Sequence, residues 1–134
     1  MRGEASRIAD RTSRDSLAPR LRDAGDDAWR IGNELFTVTD LLDGSTHVER
    51  ALTDPSRSLD DKKRLLSTLL GDRAHPLTME ILTDLAARRW SRSGDIANAV
   101  EDFGVDAMMY AADSAGSTLT VSVQLAELHS ALLN

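Results

Sequence analysis

Residues Asn33–Gly71, NELFTVTDLLDGSTHVERALTDPSRSLDDKKRLLSTLLG, read as helix, turn, short helix, break, helix and stop, and this reading decides the fold class. Leu35, Phe36, Thr39 and Leu42 recur every three or four residues. With Ala28 and Gly32 upstream they give a helix that starts near Asp26 one apolar face, which Ile31, Val38 and Leu41 widen. Asp43-Gly44 is a helix-stop signal, and Ser45 and Thr46 carry hydroxyls able to cap a short third helix through Val48, Ala51 and Leu52. Thr53-Asp54-Pro55 breaks the chain, because proline disfavours helical geometry in the residue before it. Ser58-Leu59-Asp60-Asp61 has the form of a capping box, in which the serine oxygen accepts from a backbone donor of the first turn. The fourth helix that follows sets Leu59, Lys62, Leu65, Leu66, Leu69 and Leu70 on one side and Asp60, Asp61, Lys63 and Arg64 on the other, until Gly71 ends it.

Working outward, residues 4–24 have helix-forming composition with a thin stripe of Ile8, Leu17, Leu21 and Ala24, and Pro19 is expected to kink or divide that first helix. Pro76 suits the first turn of a fifth helix running through Leu77, Ile81, Leu82, Leu85 and Ala86 to Trp90. After Ser93-Gly94, a sixth helix carries Ile96, Val100, Phe103, Gly104, Ala107, Met108 and Ala111, and Ala115-Gly116-Ser117 is expected to close it. The tail opens with the β-branched residues Thr118, Thr120, Val121 and Val123 but continues with Leu125, Leu128 and Leu132 at helical spacing; it reads mostly as helix, with the strand alternative open at its start. No stretch alternates like a sheet. The expectation is an all-α, six-helix bundle with antiparallel neighbouring helices over residues 1–115, plus a tail helix at 116–134 that begins a further region.

Composition agrees. A chain of 134 residues supports one core, and its low aromatic content and Leu/Ala-rich aliphatic supply favour helices. With 22 acidic against 16 Lys and Arg residues, the formal charge of −6 disfavours sequence-independent binding to nucleic acid. Absence of cysteine excludes disulfides and thiolate metal sites, and no apolar run is long enough for a membrane span, so direct membrane insertion is not expected.

Chemistry is hard to find. His47, His75 and His129 lack metal-ligand spacing and read as surface or cap residues; no glycine pattern cradles phosphate; and no cofactor is expected. The acid pairs Asp26-Asp27, Asp60-Asp61 and Glu101-Asp102 lie in first turns or on polar faces, where carboxylates are favoured without catalysis. Arg88, Arg89 and Arg92 surround Trp90, able to meet a partner's carboxylate or to solvate a helix end. The fifth helix carries two apolar lines, Leu77-Ile81-Leu85 and Met79-Leu82-Ala86, the second continued by Arg89. One line is able to face the core and the other a guest helix; the alternative, that the other helices bury both lines inside the bundle, stays open.

Three segments, taken in order, resemble the delta subunit of F-type ATP synthases, a family related to the mitochondrial oligomycin-sensitivity-conferring protein. They are the Asn33–Gly71 stretch, LAARRWSRSGDIANAVEDFGVDAM at 85–108 with its Arg-Trp-Ser junction, and SRDSLAPRLRDA at 13–24, where Pro19 departs from the family pattern. The resemblance implies a six-helix N-terminal domain without catalytic residues, peripheral at the cytoplasmic face of the cell membrane. It implies a groove between the first and fifth helices for the N-terminal helix of an alpha subunit, lined by position by Ile8, Leu17, Leu21, Met79, Leu82, Ala86 and Arg89. It also implies a second part, absent from these 134 residues, that engages the stalk b subunit. Two other classes stay open: a helical ligand-binding or regulatory domain, which needs an internal pocket with convergent polar groups, and a small enzyme using paired carboxylates at separated pKa values.

Overall fold

The computed structural model describes residues 3–118, and these form six α-helices with one 3-10 turn and no strand: α1 Glu4–Asp23, α2 Asp27–Asp43, α3 Thr46–Thr53, α4 Leu59–Leu70, the turn Gly71–Arg73, α5 Pro76–Ala86 and α6 Asp95–Thr118. The chain is all-α, as its periodicity indicates. The expected tail helix lies outside the described residues.

Local sequence explains the helix ends. Ser45 Oγ accepts from Val48 N at 3.3 Å and Ser58 Oγ from Asp61 N at 3.1 Å, so the serines cap α3 and α4 as expected. At the start of α5, His75 caps with its ring, Nδ1 accepting from Leu77 N at 3.0 Å ahead of Pro76. Gly71 takes φ +69°, which an L side chain rarely adopts, and so lets α4 stop.

Three boundaries differ from expectation. First, α1 runs unbroken through Pro19. The missing N–H removes one backbone bond, while buried Leu17 and Leu21 hold the helix to the core on either side. Second, α5 ends at Ala86 rather than Trp90; the indole Nε1 donates to the Leu85 carbonyl at 2.8 Å, using the tryptophan to satisfy the helix end instead of extending it. Third, α6 passes Ala115-Gly116-Ser117 and reaches Thr118.

The core gathers Ile31, Leu35, Leu42, Leu52, Leu66, Ile81, Leu85, Ile96, Val100 and Phe103, each at most 2% exposed. Pairings give the helix directions. Gly32 faces Ala107 and Met108 while Gly104 faces Phe36, so α2 and α6 run antiparallel. Arg20 pairs with Glu80 and Ser13 with Arg88, making α1 and α5 antiparallel as well. One pair departs from that pattern: Ser6 meets Ser91 just before α6, Arg14 meets Asp106 and Arg22 lies over Tyr110, so α1 and α6 ascend together.

Candidate partner-binding groove

The surface of α1 is built from small residues at helical spacing. Ser6, Ala9, Asp10, Ser13, Leu17 and Leu21 are buried on its inner side, and four of these six carry short or polar side chains, so neighbouring helices approach closely. Ser6 and Ser91 bond reciprocally: Ser91 N donates to Ser6 Oγ at 2.6 Å and Ser6 N to Ser91 Oγ at 3.3 Å. Arg88 Nε donates to Ser13 Oγ and reaches Asp84 Oδ2 at 3.2 Å, pinning the end of α5 to the middle of α1. Between these pins runs a shallow cleft of about 330 Å³, lined by Ala5, Ile8, Ala9, Thr12, Ala87, Arg88 and Arg89. Its floor is small and its single large apolar side chain, Ile8, is 55% exposed.

The seven residues expected at the groove divide into three groups. Ile8 and Arg89 lie together in this α1/α5 cleft. Leu17, Leu21, Leu82 and Ala86 are in the core, at most 6% exposed, because α1 and α5 use those side chains against the rest of the bundle; they support the groove rather than open onto it. Met79 lies on the other flank of α5, in a cleft with Leu59, Lys63, Thr83 and Ala87 against α4. Missed from sequence were Ala5, Ala9 and Thr12. They recur at i, i+4 and i+7, a signal that a search for large aliphatics passes over.

Other polar positions have structural duties. Lys62 is buried at 5% exposure and its Nζ donates to the Ala86 carbonyl at 2.8 Å, placing a cation at the negative end of the α5 dipole. Burial pushes its pKa below the ordinary lysine value. Glu34 accepts from His75 N at 2.9 Å and Thr78 Oγ1 at 2.6 Å, a carboxylate at the opposite, positive end of the same helix. Glu49 is 8% exposed beside Gly94; burial, and then the charge of Asp43, raise its pKa. Ser56 holds Asp54 below the usual carboxylate range through its hydroxyl and its N–H, fixing the turn at Pro55. Of the acid pairs, Asp27, Asp60 and Asp61 sit in first turns, and Asp102 joins the Arg14 cluster on α6. No group of three His, Cys, Asp or Glu side chains among the described residues is arranged to hold a metal ion.

No protein-family model matches the chain. Curated sequences do. Over all 134 residues the chain is 72% identical to the ATP synthase subunit delta of Bifidobacterium adolescentis and 73% identical to that of Bifidobacterium longum, covering 49% and 48% of those proteins. It is 35% identical over 119 residues, 89% of its length, to the subunit delta of Beutenbergia cavernae, of which that match covers 44%. The chain therefore spans about half the length of the relatives it matches, and that half is N-terminal. From the Asn33–Gly71 helix-break-helix pattern to identity of this order over every residue, the chain is similar throughout its length to the N-terminal half of ATP synthase subunit delta.

Proposed function

We propose that this chain is a non-catalytic connector in the peripheral stalk of an F-type ATP synthase, with residues 1–115 forming its bundle domain and 116–134 leading into a following region. The N-terminal helix of an alpha subunit seats in the α1/α5 groove, on Ile8 and Arg89 with Ala5, Ala9 and Thr12 beneath. Leu17, Leu21, Leu82 and Ala86 hold that floor from inside, and Met79 flanks it. The stalk b subunit is joined through the half of the family that this chain does not span. The observation that carries the reading is the similarity to subunit delta over every residue of the chain, combined with an exposed isoleucine over a floor of small side chains.

Such a groove suits an amphipathic helix, since small floor residues permit close backbone approach and one apolar knob enters between guest side chains. A connector has to hold the catalytic head against rotation, which calls for stiff binding and no chemistry. Its partners would keep it at the cytoplasmic face of the membrane; no described helix is long and apolar enough to cross one.

The test is a calorimetric titration with a synthetic peptide of the cognate alpha-subunit N-terminus. Saturable one-to-one binding with a negative heat-capacity change is expected, together with loss of binding in Ile8→Asp, a surface change that leaves the core intact. Binding unaltered by Ile8→Asp would remove the groove from the account.

A further inference from the structure

At the C-terminal end of α5 a second cleft opens, of about 350 Å³, and it shares Ala87, Arg88 and Arg89 with the α1/α5 groove. Its remaining walls are Pro55, Arg57, Leu59 and Lys62, so four cationic side chains and no carboxylate line it. In a chain of net charge −6 this is a local reversal of sign. Part of that positive charge is already answered. Lys62 donates to the Ala86 carbonyl, Arg88 reaches Asp84 at 3.2 Å, and the charge of Asp54 acts on both Arg57 and Lys62 from beyond the cleft wall. Arg57 and Arg89 keep their donors available: both are exposed, and neither guanidinium is held in a direct ion-pair contact within the described residues, Asp54 acting on Arg57 only through its charge.

An apolar groove alone binds a helix with little preference for its direction, because its contacts are non-directional. A cationic cup at one end supplies the polarity. We infer that this cleft is the carboxylate-receiving end of the guest-helix groove, where Arg57 and Arg89 take an acidic side chain of the guest and so set which way the helix lies. The inference rests on the groove reading above and narrows its occupant to an amphipathic helix with an acidic residue at the end that meets α5. Guanidinium is the fitting group, since its planar fork offers a carboxylate two parallel donors. Lys62 and Arg88 frame the cup, but their bonds within the bundle keep them as supports.

The experiment uses the alpha-subunit N-terminal peptide and a second peptide with its Asp and Glu replaced by Asn and Gln. Each is titrated into the parent chain, into the double variant Arg57→Gln/Arg89→Gln and into Ile8→Asp, with thermal melts confirming that all three are folded. The inference expects the double variant to bind the native peptide about tenfold more weakly, with a shallower salt dependence. The neutral peptide should already bind the parent weakly and respond little to the double variant. If Ile8→Asp loses the peptide while Arg57→Gln/Arg89→Gln keeps full affinity, the groove stands and the carboxylate-receiving end is overturned. If Ile8→Asp binds as well as the parent, groove and cup fall together. Inorganic phosphate is titrated alone as a control; phosphate binding that the double variant abolishes, with peptide affinity unmoved, makes the cleft a free-anion site and overturns the inference as well.

Discussion

Helix α6 meets two neighbours in two physically different ways. Against α2 the seam is apolar and close: Ile31, Leu35, Ala107 and Phe103 are at most 1% exposed, and glycines stand where the backbones approach, Gly32 beside Met108 and Gly104 beside Phe36. Against α1 the seam is polar. Arg14 donates in parallel to Asp106, at 2.8 and 2.9 Å, with Asp10 at 3.5 Å and Asp102 at 4.0 Å completing the cluster, and a charged cleft opens along it between Arg7 and Tyr110. The hydrogen bond from Arg14 to Asp106 raises the arginine pKa further above its already high value, so this cation stays charged at any accessible pH. The first seam derives its stability from buried area, which is insensitive to salt; the second derives register from directed bonds, which salt weakens. The proposed connector role would use both: an unyielding centre, and an outer helix fixed in register by directed bonds.

The comparison breaks most easily at the apolar seam. Phe103→Ala is expected to cost about 4 kcal/mol in urea unfolding, through lost transfer energy and the cavity left behind. A cost near 1 kcal/mol would mean that the seam collapses around the gap and is not close-packed. Gly104→Val sharpens the same point from the opposite side. A Cβ there lies 2.7 Å from Phe36 Cε1, and since that ring is half-buried and able to yield in part, about 2 kcal/mol is expected, with the loss unaffected by salt.

At the polar seam, Arg14→Gln is expected to lower stability by about 1 kcal/mol at low ionic strength, and by much less in 1 M NaCl. Equal losses at both salt concentrations would show that α1 is held by packing alone. The smallest effect belongs to Glu49, which α3 presses toward the start of α6. Because its folded pKa is raised, the folded state takes up the proton first as pH falls. Stability from this group is therefore fully present below pH 4.5 and lost as pH rises through the folded value. Glu49→Gln should remove that slope and stabilise slightly at neutral pH, read from melting temperatures at pH 4 to 8.

Which parts were legible in sequence follows from the range of the forces involved. Ser45, Ser58, Pro76 and Gly71 mark helix ends because capping and backbone preference act within four residues, and the serine caps formed as read. Trp90 misled: its apolar ring sits at helical spacing from Ala86, but its N–H closes α5 by folding back onto the Leu85 carbonyl. Lys62 misled differently, since a lysine on the leucine face of α4 gives no sign that its ammonium will cap another helix across the bundle.

The candidate site shows the same division. The apolar lines of α1 and α5 were visible as period, yet period states only that a side chain faces something, not whether that is core or solvent. Packing sent Leu17, Leu21, Leu82 and Ala86 inward and left Ile8 and Arg89 at the surface. By itself the sequence determined six helices, most of their ends and the similarity to subunit delta, because propensity, capping and identity are local or additive properties of the chain. Only the tertiary structure decided that α1 runs parallel to α6, that alanines floor a groove, and that Arg57 and Arg89, 32 positions apart in sequence, line one cleft. Those are consequences of which helix faces meet, and helix-helix contact is a long-range choice that no single stretch of sequence encodes.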